Sequence, residues 1–121
     1  MYNEEDVISL KLILEKIEMI EEIVNDFGFI TIALQDKKMG RPSLLMHLIS
    51  MAEQFNRLKN NNAFEILSKF EKEDLKGSYD IRNFIAHDYE GTNLVIIEMI
   101  IRTKLPKLKN TVVSILKKEE K

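Results

Sequence analysis

The chain has 121 residues, of which 45% are hydrophobic and 31% are charged, and its net charge is −2. The composition excludes a disordered chain. The net charge excludes a protein that binds nucleic acid over its whole surface, although a local basic patch stays possible. The length predicts one domain over residues 1–121. The absence of cysteine excludes disulfides, a thiol nucleophile and a thiolate metal site.

The first predicted element is a long N-terminal helix that ends near Asp26. Asn3 is its predicted N-cap, and the three acidic residues that follow suit the positive end of the helix dipole. Gly28 ends or bends the helix. The acidic start lacks the pattern of a signal peptide, and no apolar run approaches the roughly 20 residues that cross a bilayer. We therefore expect a cytoplasmic protein without a membrane partner.

Three helical pieces are predicted between residues 29 and 70. FITIALQD, residues 29–36, predicts a brief helix. KKMGRP, residues 37–42, is a break, and Pro42 suits the first turn of the middle helix that follows. FEILSKF, residues 64–70, predicts a short helix after a loop. The middle helix has a predicted buried face made of Leu44, Leu45, Leu48, Ile49, Ala52, Phe55 and Leu58.

The first of the last two predicted helices carries the segment SYDIRNFIAHDYEG, residues 78–91. EKEDLKGS, residues 71–78, is expected to be flexible, so that Ser78 caps the helix that carries this segment. Asn93 is the predicted cap of the final helix, which Pro106 should kink. Ile96 and Ile100 add a second apolar strip to its start, which predicts burial on two sides. The whole pattern predicts an all-α, up-and-down bundle of about five helical pieces.

A helical wheel of residues 81–87 puts Ile81, Phe84 and Ile85 on a core face and the polar side chains on the other. Arg82 and His87 are about 140° apart around the axis, so a direct pair on one straight helix is awkward. A second copy across a two-fold axis would bring one chain's Arg82 to the other's His87.

Arg82 and His87 together suit attack on an RNA phosphodiester without a metal. The imidazole would activate the ribose 2′-hydroxyl, and the guanidinium would stabilise charge on the phosphoryl oxygens. From spacing alone, a plain surface helix with His87 near its C-terminus, where a cation is favoured, is the commoner explanation.

RNFIAHDY, residues 82–89, resembles the Arg-x4-His-x-Tyr motif of HepT-like toxins in the HEPN superfamily. The sequence continues as that family does, with His-x-Tyr-x-Gly, a helix start and Leu-Pro-x-Leu. LLMHLISMAEQFNRL, residues 44–58, resembles the family's middle helix, in which Ala52 replaces the usual glycine and Glu53 matches the usual glutamate. The resemblance covers most of the chain and is specific over residues 82–108.

The resemblance implies an all-α HEPN bundle that forms a two-fold homodimer with a composite site at the interface. It implies a metal-independent endoribonuclease that leaves a 2′,3′-cyclic phosphate and uses no cofactor. Arg82 and His87 would be its catalytic pair, with Asn83 in support. Glu53 would orient Arg82, although a solvated glutamate is an equal alternative.

The resemblance also implies a partner besides RNA. Such toxins are typically encoded beside a minimal nucleotidyltransferase antitoxin of the MntA type, in a type VII toxin–antitoxin system. That enzyme silences the toxin by attaching AMP to the motif's tyrosine, here Tyr89, where added phosphates would repel RNA. Whether toxin and antitoxin form a larger hetero-oligomer is left open by the sequence.

Two other functions fit the same residues. One is a non-catalytic module that binds nucleotide or substrate for a nucleotidyltransferase, which the sequence pI of about 5.7 favours slightly. The other is a structural helical dimer without a site. Outside the motif we expect structural roles for His47 and Tyr79. Lys37, Lys38 and Arg41 would form a solvated loop, with phosphate binding as the less expected alternative.

Overall fold

The computed structural model describes residues 2–87 and 93–120, with all of their side chains except those of Ala86 and His87. Three long helices are α1 (Glu4–Phe27), α3 (Gly40–Asn60) and α5 (Lys72–His87), and two short ones are α2 (Ile30–Gln35) and α4 (Phe64–Leu67). A last rod joins α6 (Leu94–Met99), a π-helical turn (Ile100–Lys104) and α7 (Leu105–Glu119). These residues contain no strand, so the predicted all-α fold is confirmed.

Both ends of α1 and the start of α6 lie close to where the sequence predicts them. Asn3 caps α1, because its side-chain oxygen accepts a hydrogen bond from the Asp6 N–H at 3.1 Å. Gly28 ends α1 with φ at +91°, a conformation that favours glycine. Asn93 caps α6 by accepting from the N–H of Val95 at 3.1 Å.

The long rods run up and down around the bundle. In three pairs of neighbouring rods, residues farther along one rod contact residues nearer the start of the other, as expected for antiparallel packing. Helix α1 also packs extensively on α3. The contacts that show the direction are Glu53 with Arg82 and Lys59 with Tyr79 (α3–α5), Asp74 with Lys104 and Glu71 with Lys107 (α5–last rod), and Glu21 with Lys109 and Tyr2 with Glu119 (α1–last rod).

The core lies between these rods. The predicted buried face of α3 is confirmed except for Ile49, which is half-buried, and Met51 is buried in addition. Phe55 meets Phe70 edge to face, with ring centroids 5.3 Å apart. In the described part of the chain, no helix has both the length and the apolar character to span a membrane.

The predicted start of the motif helix is wrong. Ser78 does not cap α5 but lies inside it, where its buried hydroxyl donates to the carbonyl of Asp74 at 2.9 Å. Asp74 is also buried, and its carboxylate lies 3.3 Å from the Lys104 ammonium and 3.4 Å from that of Lys107. These ion pairs hold the first turns of α5 against the last rod, so tertiary contacts extend the helix through a segment that local sequence predicts to be flexible.

The last rod is irregular just before Pro106. The N–H of Leu105 donates to the carbonyl of Ile100, five residues back, which makes a π-helical turn. Proline has no N–H with which to continue the α-helical pattern. The irregularity that Pro106 predicts therefore takes the form of a π-helical turn.

Candidate functional site

The face of α5 that points away from the core carries the candidate site. Ile81 and Ile85 are buried and Phe84 is partly buried, whereas Arg82 and Asn83 are exposed. The helical wheel is thus confirmed for these five residues. Burial of one face fixes the rotation of α5 about its axis, and that rotation presents the Arg82 and Asn83 side chains to solvent.

Arg82 lies beside Glu53 of α3. A guanidinium nitrogen of Arg82 is 3.9 Å from a carboxylate oxygen of Glu53, and the two side chains are 64% and 51% exposed. This separation is an ion pair but too long for a direct hydrogen bond. An exposed pair of this kind contributes roughly 0–1 kcal/mol to stability. The guanidinium can therefore engage another anion at little cost to the fold.

Glu53 is brought to α5 by the packing of α3. The preceding residue, Ala52, is fully buried, so the next position emerges at the edge of the α3–α5 contact. Farther along the same contact, the Lys59 ammonium lies 4.6 Å from the centroid of the Tyr79 ring, a cation–π distance. Partial burial raises the pKa of Tyr79. Tyr79 therefore has the surroundings of a packing residue.

The other half of the motif lies outside the described residues. The backbone of α5 reaches His87, but the side chain of His87 and all of residues 88–92, including Tyr89, are outside. The pairing of Arg82 with His87 and the modification of Tyr89 therefore remain predictions.

The three basic residues between α2 and α3 have different surroundings. The Arg41 guanidinium donates from Nε to the carbonyl of Leu34 at 2.7 Å, which ties it to the end of α2. Lys37 and Lys38 are exposed. Of this predicted cluster, Arg41 therefore has a side-chain hydrogen bond within the described residues, whereas Lys37 and Lys38 have none there.

His47 faces α1 rather than the candidate site. Its Nδ1 atom is buried and has no hydrogen-bond partner among the described residues. Partial burial and the nearby charge of Lys16 lower the pKa of His47, against a smaller opposing effect of Glu15. These surroundings suit the structural role expected from the sequence.

An open apolar groove runs between α5 and α6. Its walls include Ile81, Phe84, Ile96 and Ile100, and one part of it has a volume of about 210 Å³. Ile96 and Ile100 are only half-buried, so the predicted burial of their strip is partly met in the single chain. Two large apolar side chains of α6 are exposed nearby, Val95 at 76% and Met99 at 47%. The sequence shows this strip as apolar but does not show that it stays open.

Comparison with known proteins bears on this arrangement. Among the described residues, no group of three or more His, Asp or Glu side chains is placed to hold a metal ion. The comparisons with curated proteins and with solved structures gave no match. The family model "Ribonuclease HepT-like" matches residues 13–115, which run from the middle of α1 into α7 and include Glu53 and all of α5. The match covers most of the chain, and the protein therefore belongs to the HepT-like ribonuclease family.

Proposed function

We propose that this protein is a metal-independent endoribonuclease and the toxin of a type VII, HepT/MntA-like toxin–antitoxin system. Membership of a ribonuclease family supports the activity in general. The observation that carries the specific site is the exposed guanidinium of Arg82, on the helix that bears His87. Among the described residues its one carboxylate partner is Glu53 of α3, at the loose distance of 3.9 Å. A guanidinium so placed can grip two oxygens of a phosphate without first breaking a buried contact.

The proposed reaction is an attack within the RNA strand. His87 takes the proton of a ribose 2′-hydroxyl, and the oxygen forms a bond to the adjacent phosphorus. The bond from phosphorus to the 5′-oxygen breaks, which leaves a 2′,3′-cyclic phosphate. His87 of a second copy gives a proton to the departing oxygen. Arg82 balances the charge that grows on the phosphoryl oxygens, Asn83 supports the substrate, and Glu53 orients Arg82.

A two-fold homodimer would complete this site. The apolar groove between α5 and α6 supports the dimer, because a second copy seated there would cover half-buried Ile96 and Ile100 and exposed Met99. On α5, Asp80 lines the same groove. Position 87 follows Asp80 after seven residues, about two helical turns, and so shares its side of the helix. A partner in the groove would therefore approach the strip of α5 that ends at position 87.

The proposed control is transfer of AMP from ATP to the Tyr89 hydroxyl by a minimal nucleotidyltransferase, with release of pyrophosphate and of the hydroxyl proton. Tyr89 lies two residues after His87 in the motif. Phosphates attached there would add negative charge within the motif and would repel the RNA backbone. Intact mass of the chain co-expressed with its nucleotidyltransferase would show whole added AMP units, and Tyr89→Phe should remove them.

The decisive test is cleavage of RNA by the purified, unmodified chain with a chelator present. The chain has only two histidines, which provides a matched control. We expect His87→Ala to abolish cleavage and His47→Gln to retain it, and Arg82→Ala to lose it where the exposed Arg57→Ala does not. Equal cleavage by the wild type and His87→Ala, or none by either, would rule out the proposed chemistry.

A second candidate is a non-catalytic module that binds nucleotide for a nucleotidyltransferase. The acidic character of the chain, with a sequence pI of about 5.7, favours it slightly, because an RNA strand carries many more phosphates than a nucleotide and depends more on an attractive protein charge. This candidate predicts tight nucleotide binding that Arg82→Ala weakens, together with no cleavage of RNA at any protein concentration.

A further inference from the structure

The turn between α2 and α3 lies at the same end of the bundle as the end of α5. The contacts of Glu53 with Arg82 and of Lys59 with Tyr79 show that the two helices are antiparallel, so the start of α3 and the end of α5 point the same way. At about 1.5 Å per residue, α3 extends roughly 20 Å beyond Glu53 and α5 roughly 8 Å beyond Arg82. The turn therefore lies roughly 10 Å past the end of α5. The packing of α2 against α6 agrees with this placement.

The backbone of this turn is tightly held. The Asp36 carboxylate accepts hydrogen bonds from the N–H groups of Met39 at 3.2 Å and Gly40 at 2.9 Å, which caps the start of α3. Gly40 lies so close to Ala33 that a Cβ atom on it would stand 2.2 Å from the Ala33 carbonyl oxygen. The turn is therefore preorganised, and a ligand would lose little affinity in ordering it.

Lys37 and Lys38 lie in this held turn and are exposed. Among the described residues, no carboxylate lies within ion-pair distance of either ammonium, whereas Lys104, Lys107 and Lys109 all have carboxylate partners. The Asp36 carboxylate is occupied by backbone N–H groups, and the Arg41 charge adds to those of the lysines. The turn thus presents a local positive charge on an acidic protein.

We infer that Lys37 and Lys38 bind backbone phosphates of the RNA strand that flank the bond cleaved at α5. This inference rests on the proposed ribonuclease function. Because the turn lies roughly 10 Å past the end of α5, its lysines are placed to contact flanking nucleotides rather than the reacting phosphate. Single-stranded RNA gains affinity from such contacts by releasing counterions, so each contact leaves a measurable salt dependence.

The test measures binding apart from cleavage. A fluorescent RNA of about 12 nucleotides with 2′-O-methyl groups cannot undergo attack by its own 2′-oxygen, and its anisotropy gives the binding constant over a series of salt concentrations. We expect Lys37→Gln with Lys38→Gln to reduce the slope of log K against log salt by about 1.4, or 0.7 for each phosphate contact. The matched control is Lys117→Gln with Lys118→Gln, an adjacent exposed pair near the end of α7.

The control pair also tests a competing basic surface, since Lys118 lines a groove with Lys69 at the opposite end of the bundle. A larger loss from the α7 pair, or equal losses from both pairs, would overturn the inference. So would a turn variant that binds RNA normally but fails to bind the nucleotidyltransferase. An unchanged slope in the turn variant, with cleavage still dependent on His87, would refute phosphate binding by the turn but not the proposed ribonuclease. A reduced slope in a protein that never cleaves RNA would refute the proposed ribonuclease, and with it the flanking role, while showing that the turn binds RNA.

Discussion

Arg82 of α5 and Glu53 of α3 form an ion pair 3.9 Å long on the outside of the bundle. The pair couples the motif helix to the middle helix without burying either charge. Because the pair contributes little to stability, a substitution of Glu53 can distinguish its two possible roles, as a group that orients Arg82 or as an ordinary solvated glutamate.

Glu53→Gln should affect catalysis but not folding. We expect the melting temperature to change by less than about 4 °C, since an exposed pair contributes under about 1 kcal/mol. We expect kcat for RNA cleavage to fall by roughly tenfold, because Arg82 loses its orientation. KM should not rise, since the guanidinium keeps its charge. Steady-state kinetics decide the matter, with the exposed Glu65→Gln of α4 as control. An unchanged kcat would leave Glu53 a solvated residue.

Met99→Glu should separate the proposed dimer. The change places a charge beside the apolar groove, where a partner would have to bury it. The variant should still fold, because Met99 is already 47% exposed. By light scattering we expect the wild type at twice the chain mass of 14.2 kDa and Met99→Glu at that mass itself. Met46→Glu, on another exposed methionine, should stay dimeric. A dimeric Met99→Glu would move the interface away from the groove.

Two glycines should respond oppositely to alanine. Gly77 lies inside α5 with open space where a Cβ would go, so Gly77→Ala should stabilise the fold by about 0.5–1 kcal/mol. A Cβ at Gly40 would meet the Ala33 carbonyl at 2.2 Å, and the backbone would have to move, at a cost of about 2–3 kcal/mol. Urea unfolding of both variants measures the difference. A neutral Gly40→Ala would show that the α2–α3 turn adapts easily.

His47 should make the fold sensitive to mild acid. Burial and Lys16 hold the pKa of His47 below its ordinary value of 6.5. The unfolded chain therefore binds a proton that the folded chain resists, and the free energy of unfolding falls as pH drops below about 6.5. Above that pH this contribution is complete and constant. His47→Gln should have a shallower loss between pH 6.5 and 5, measured by urea unfolding. Lys16→Gln should show a smaller change in the same direction, and equal slopes in all three proteins would contradict this account.

Local chemistry made the helix ends predictable. Asn3 and Asn93 act through side-chain hydrogen bonds within three residues, and Gly28 acts through its own backbone freedom. The start of α5 was not predictable in this way. Asp74 is held by Lys104 and Lys107, which lie about thirty residues later, so no local pattern reveals the contact.

In the candidate site, too, features set by the local sequence pattern were predictable and features set by helix packing were not. The periodicity around Ile81 correctly placed Arg82 on the open face of α5, because burial of apolar residues fixes the helix's rotation. Whether Glu53 meets Arg82 depends on how α3 and α5 pack, which sequence spacing leaves open. The sequence carries a weak signal of the π-helical turn, because the apolar residues from Ile97 to Leu105 follow at two successive spacings of four. A kink at Pro106 explains the same spacing, so the pattern alone does not identify the turn.

The π-helical turn gives the last rod one residue more than an unbroken α-helix would hold between α6 and α7. Because the wide turn absorbs that residue, removing one residue between positions 100 and 104 would restore ordinary α-helical winding and leave Asn93 and Ile97 facing nearly as they do now. Removing one residue inside α7 would instead rotate the residues on one side of the deletion by about 100° relative to those on the other. A one-residue deletion should therefore be tolerated in the π-helical turn and harmful in the regular helix beside it.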